Sequence, residues 1–175
     1  DELSNNDQDF GSGGVLLLPD QPGTAHPHMM IVGSKAGALY LVDRDNLGGY
    51  QQCGPDCDNN LQVLPVGTVN PIFDTPAYFN GLIYYHACCG DVIKAFQLGD
   101  GQISTEPVMS SVKPFAYPGS VPSVSANGNS NGILWVLERF DNGILHAYDA
   151  SNLANELYSS NDYAADELDG PVKYT

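Results

Sequence analysis

Positive charge is scarce in this chain. Its 175 residues hold 6 Lys and Arg against 21 Asp and Glu, for a formal net charge of -15. Such a field repels phosphate backbones and anionic bilayers, which argues against nucleic-acid and membrane-surface partners. Charge of either sign is sparse, at 15% of residues. The acidic excess reads first as a solubility device and second as a cation-binding feature. No apolar run reaches the ~18 residues a membrane helix needs, so no membrane insertion is expected. Long amphipathic helices are also missing, because no segment keeps a 3.6-residue apolar period over several turns. The chain has no Asn-x-Ser/Thr acceptor, no C-x-x-C, no G-x-S-x-G, no P-loop and no H-E-x-x-H. It lacks an initiator Met and opens on "DELSNNDQDF", which reads as a processed or truncated start.

What is present is a repeat. "GALYLVDRDNLGG" begins at Gly37, "DVIKAFQLGDGQ" at Asp91 and "GILHAYDASNLAN" at Gly143. Aligned without gaps, Leu39, Ile93 and Leu145 share a column, as do Leu41, Ala95 and Ala147, then Val42, Phe96 and Tyr148. Each run is short, apolar and bounded by Gly, Asp or Asn, which is the signature of a strand. A strand and a turn precede each copy: "MMIVGSKAG", "LIYYHACCG" and "ILWVLERFDNG". Asn142-Gly143 reads as a tight hairpin turn. "GVLLLPD", "TPAYFNG" and "VPSVSANG" are expected innermost strands; "YQQ", "QISTEPVMSS" and "NELYSS" are expected outermost ones.

Four antiparallel strands repeated at roughly 50 residues indicate β-propeller blades. The fold class is therefore all-β: part of a β-propeller with about three four-stranded antiparallel blades. Blade one spans about 9–52, a cysteine-bearing loop 53–74, blade two about 75–112 and blade three about 117–160. Residues 161–175 read as the lead-in to a further blade. Three blades are too few to close a ring. The expected partners are remaining blades of the same protein or other subunits.

Segments such as "HPHMMIVGSKAGALYLVDRDNLGGY" and "FDTPAYFNGLIYYHACCGDVIKAFQL" resemble successive blades of the pyrroloquinoline-quinone-like (quinoprotein-like) β-propeller repeat proteins of bacteria. The resemblance runs from about Asp9 to Thr175. It implies the propeller fold and carries little about activity.

The four cysteines, Cys53, Cys57, Cys88 and Cys89, permit disulfides and so an extracellular or periplasmic setting. A zinc site built from them with His86 has poor ligand spacing. In quinoprotein alcohol dehydrogenases adjacent cysteines join in a small ring against the quinone. Here the pair runs at once into "DVIKAF", and the single Trp135 falls in another blade's strand. The favoured reading places Cys53 and Cys57 in the loop entering blade two, facing the turn that carries Cys88 and Cys89, with cross-links between the two pairs. Each such link is worth roughly 3 kcal/mol. Local bonds, Cys53 to Cys57 and Cys88 to Cys89, are the alternative.

His26 and His28 read as solvated loop residues, with metal binding as the competing role. His146 reads as structural. Asp43, Asp45, Asp56, Asp58 and Asp91 fall in turns, where Asp is common for backbone reasons. Glu138, semi-buried by pattern and followed by Arg139, reads as ion-paired or solvent-exposed rather than as a catalytic acid. No catalytic, cofactor-binding or metal residue is assigned. The expected function is a non-catalytic secreted scaffold or binding module of unknown ligand, with no cofactor. The alternative is a segment of a quinone-dependent alcohol or sugar dehydrogenase, which implies pyrroloquinoline quinone with calcium.

Overall fold

The computed structural model describes residues 5–49, 58–139, 142–168 and 170. The fold is all-β, built from three antiparallel sheets, none closed on itself. Sheet one orders β1 (Val15–Leu17), β2 (Met29–Gly33), β3 (Leu39–Asp43) and β4 (Asn60–Leu64). Sheet two orders β5 (Ala77–Phe79), β6 (Leu82–Tyr85), β7 (Lys94–Gly99) and β8 (Gln102–Ile103), with β9 (Met109–Ser110) also paired to β7. Sheet three orders β10 (Ser123–Asn127), β11 (Ser130–Glu138), β12 (Ile144–Asp149) and β13 (Asn152–Ser159). Short 3-10 turns lie at Phe10–Ser12 and Ser160–Asp162.

The tight turns follow from local chemistry. Asn80 and Gly81 join β5 to β6 with φ of 49° and 85°; Asp100 and Gly101 join β7 to β8 with 53° and 74°. Positive φ at both central residues is the type I′ pattern, which Asn-Gly and Asp-Gly adopt at low cost. Asn142-Gly143 behaves differently. Glu138 pairs with Ile144, so residues 139–143 all lie in the connection and no two-residue turn forms. The Gly143 N–H instead donates to the carbonyl of Gly170.

The outer strand of sheet one also departs from expectation. Tyr50–Gln52 lie outside the described residues, and the strand that pairs with β3 is Asn60–Leu64. Sheet one therefore runs past residue 52, into the segment expected to be a loop. Leu64 supplies the reason: it is buried in the core shared with sheet two.

The repeat columns have a structural meaning. Leu41 pairs with Ile31, Ala95 with Tyr84 and Ala147 with Trp135. Ile31 and Leu41 pack toward sheet two, and Tyr84 and Ala95 pack toward sheet three. The next column, Phe96 and Tyr148, packs toward the preceding sheet. Residues at the same repeat position thus occupy the same side of every sheet, because the side-chain period of a strand is two.

Two apolar slabs result. One holds Ile31, Leu41, Ile83, Tyr85 and Phe96; the other holds Tyr84, Ile93, Phe115, Leu134 and Tyr148. Burying each such side chain is worth about 1.5–3 kcal/mol. On the far side of sheet one, Val15 and Leu17 remain exposed, at 51% and 59%.

Candidate functional site

The ends of the sheets carry the polar chemistry. The β2–β3 turn, the β4–β5 loop and the β6–β7 connection share one end. Val69 N–H donates to Gly37 O, Cys88 N–H to Pro71 O, and Asn70 N–H to Asp91 Oδ2 at 2.8 Å. The β6–β7 connection holds both cysteines. Their sulfurs are bonded to each other, Cys88 to Cys89. Cys88 is buried, while Cys89 is exposed and sits at φ 66°. Asn70 Nδ2 donates to the Cys89 carbonyl at 3.1 Å, and Gly90 N–H to that of Phe115 at 2.8 Å.

This bond overturns the expected cross-links from Cys88 and Cys89 to Cys53 and Cys57. Both sulfurs are used in that bond, so neither is left for another cysteine. Cys53 and Cys57 lie outside the described residues, between β3 and β4 in chain order.

Asp91 lies beside the disulfide, and both its carboxylate oxygens accept hydrogen bonds. Oδ1 accepts the Val92 N–H, and Oδ2 accepts Asn70 N–H and Lys94 Nζ at 2.8 and 2.9 Å. A second polar group faces the junction of sheets two and three. His86 is 5% exposed, with Nδ1 2.8 Å from Ser120 Oγ, which also accepts the Leu137 N–H. Its Nε2 is buried without a partner. Burial, then the nearby His146, pushes the imidazole down to about 3, so the ring stays neutral. Phe115 stands edge-on to it at 4.4 Å and to His146 at 5.5 Å.

His146 is enclosed completely. Its Nδ1 is 2.6 Å from Glu156 Oε1, and its Nε2 is 3.3 Å from Glu138 Oε2. With both nitrogens engaged and no exposed surface, it offers nothing to a substrate. Glu138 and Arg139 do not pair with each other. Glu138 meets His146, and Arg139 crosses to Asp74 at 3.0 Å.

At the opposite end, His26 Nδ1 lies 2.7 Å from Asp43, and His28 Nδ1 lies 2.6 Å from Asp45. These pairs tie the β1–β2 loop to the end of β3. His86 follows β6 at the other end of the sheets, away from His26 and His28. Among the described residues, no group of three or more His, Cys, Asp and Glu is arranged to hold a metal ion. The turn acids do not converge either: Asp43 and Asp45 are separated from Asp91 by the length of the sheets, and Asp56 is outside the described residues. Trp135 sits in β11, its Nε1 donating to Ser125 Oγ at 2.9 Å.

The same far end carries a cleft that sequence reasoning missed. It lies between sheets two and three, near Phe79, Asn80, Gly132 and Asp149, with a volume of about 370 Å³. The available signal was the asparagine-rich stretch "SANGNSNG", which reads from sequence only as a polar hairpin tip. No protein-family model matches the chain, and no curated protein matches its sequence.

Proposed function

We propose that the three sheets are consecutive blades of a β-propeller and that the chain is a non-catalytic scaffold or binding module of an extracellular or periplasmic protein. The observation that carries this reading is that the buried and half-buried charged groups at the sheet ends are paired with one another, while the one buried imidazole left with a free nitrogen, His86, is enclosed and held neutral. Asp74 is paired with Arg139, Asp91 with Lys94, and His146 with two glutamates. A catalytic site needs such groups aimed at an open cleft and poised to exchange protons. The disulfide supports an oxidising compartment. Exposed Val15 and Leu17 on sheet one support partner blades or subunits that cover that face.

The Cys88–Cys89 bond favours a second reading, a segment of a quinone-dependent dehydrogenase. The described residues do not fit that cofactor and its calcium. Calcium takes six to eight oxygen ligands. The acid beside the disulfide, Asp91, is spent on two backbone N–H groups and Lys94. Trp135 is committed to sheet three and does not face the disulfide's connection.

The test is dye reduction by the purified chain with pyrroloquinoline quinone, calcium and primary alcohols or aldoses. No turnover is expected. Quinone-dependent reduction would overturn the scaffold reading.

A further inference from the structure

The cleft between the far ends of sheets two and three has the chemistry of a ligand site. Its volume of about 370 Å³ falls at the lower end of the roughly 300–1,000 Å³ usual for small-molecule pockets. Asn80, Asn129, Asn131, Asp149, Ser151 and Phe79 are among the residues that line it. No Lys, Arg or His lines it among the described residues.

Each group reaches the cleft for a local reason. Asn80 is the first residue of the type I′ turn, at φ 49°. Asn131 also sits in the left-handed region, at φ 54°, just past the β10–β11 hairpin tip. Asn enters that region more readily than most residues do. Asp149 ends β12, its Oδ1 accepting the Ser151 N–H at 2.8 Å and the Ser151 hydroxyl at 2.6 Å. Phe79 ends β5. Its ring lies against the Gly132 backbone, where a Cβ would run into it. Glycine inside a strand often marks such a close approach.

The three asparagines are exposed, and their carboxamides, with no side-chain hydrogen-bond partner among the described residues, face water. Each offers two N–H donors and a carbonyl acceptor, a match for neighbouring hydroxyls on a ring. The ligand class follows by elimination. Phosphate, sulfate and carboxylate ligands would meet Asp149 with no cation to balance them, in a protein of net charge -15. A purely apolar ligand would strip water from three amides and return no hydrogen bonds. A neutral polyhydroxylated ring satisfies the amides and presents a C–H face to the phenyl ring.

We propose that this cleft binds a neutral saccharide, with its hydroxyls held by Asn80, Asn129 and Asn131 and one C–H face laid against Phe79. The proposal names a ligand class for the module proposed above and rests on that reading. The two fail separately, since quinone-dependent dye reduction bears only on the first and sugar titration only on the second.

The test is a backbone-amide NMR titration of the full chain with cellobiose, maltose and chitobiose, each to about 20 mM, the range of weak single-site binding. At least one disaccharide is expected to shift the amides of residues 79–81, 129–132 and 149–151 and leave the β6–β7 connection unmoved. Asn80→Gly and Asn131→Gly keep the left-handed backbone open and remove the carboxamide. Each is expected to weaken binding about fivefold to tenfold, the value of a lost hydrogen bond. Asn129→Ser, at the hairpin tip, is the fallback should either glycine variant disturb the hairpins. No saturable shift with any of the three sugars would overturn the proposal. So would undiminished binding by the variants, or shifts spread evenly over the surface.

Discussion

Arg139 grips Asp74 across the junction of the second and third sheets. Its Nη2 lies 3.3 and 3.0 Å from the two carboxylate oxygens, while its Nε donates to the Gly119 carbonyl at 2.9 Å. Asp74 precedes β5, and Gly119 lies in the loop ahead of β10. One guanidinium thus fixes two incoming loops to the end of β11. Burial raises the Asp74 carboxyl above its ordinary value, and Arg139 offsets only part of that rise.

Arg139→Met should leave that carboxylate enclosed and unpaired, at a cost of about 3 kcal/mol at pH 7. The sign with pH follows from the raised folded-state value. The folded chain then holds a proton that the unfolded chain has already lost, so stability falls as pH rises above about 4. The variant's deficit should shrink toward pH 4. Urea unfolding followed through the single Trp135 measures both points, and an equal deficit at the two pH values would count against the account.

His86 makes a second acid-sensitive element of opposite sign. Its imidazole is pushed down to about 3, far below the ~6.5 of an unfolded chain. Above pH 6.5 the group contributes no slope. Below it the unfolded chain takes a proton that the folded chain refuses, and stability falls by up to about 1.4 kcal/mol per pH unit. His86→Asn can keep a bond to Ser120 and cannot titrate. Its stability between pH 6.5 and 4 should be flatter than that of the parent chain; a parallel slope would refute this assignment.

Mass spectrometry of unreduced peptides should find Cys88 and Cys89 in one fragment, two hydrogens lighter than the dithiol. Replacing Cys53 and Cys57 with Ser should leave that mass unchanged. A bond between adjacent residues closes almost no loop, so its reduction should cost only about 1 kcal/mol in the chain-entropy model, against roughly 3 for a cross-link over twenty residues. A larger drop on reduction would mean that the bond braces more of the sheet end than its own connection.

At the other end, the hydrogen bond and charge of Asp45 raise the His28 imidazole above its ordinary value. A raised folded value favours the folded chain below about pH 6.5, and that advantage is lost as pH rises through the folded value. Asp43 works in the other direction. Its carboxyl is held low by the Asp45 N–H and then by His26, so its contribution is lost as pH falls below about 4. An imidazole proton titration by NMR should show His28 shifting downward in Asp45→Asn and in about 1 M salt, where screening is nearly complete. An unmoved curve in the variant would remove Asp45 as the cause.

The strands were readable in the sequence because each repeat column is also a packing column. Val42, Phe96 and Tyr148 align by residue type, and Phe96 and Tyr148 face the preceding sheet across the two slabs. β4 was harder to see. Asn60–Leu64 buries one residue fully and alternates poorly, so its pattern hardly differs from that of a loop. In chain order Cys53 and Cys57 therefore fall before the fourth strand of sheet one rather than after it. Asn142-Gly143 has the residues of a type I′ turn, yet the Glu138–Ile144 pairing sets a longer connection. The cleft was not legible at all. Its asparagines come from two hairpins, Asn80 in one and Asn129 and Asn131 in the other, and only the packing of sheet two on sheet three brings them together.

The fixed sidedness of the repeat gives the stack an arrow. Ile31 and Leu41 reach forward from sheet one and Tyr84 and Ala95 from sheet two, while Phe96 and Tyr148 reach back. The side of sheet three that carries Trp135 and Ala147 is therefore a leading surface, and the Val15 and Leu17 side of sheet one is a trailing one. The two termini of the stack are unlike, so growth by the same packing must proceed head to tail. Two such stacks joined back to back about a twofold axis would have to invent a contact that neither slab contains.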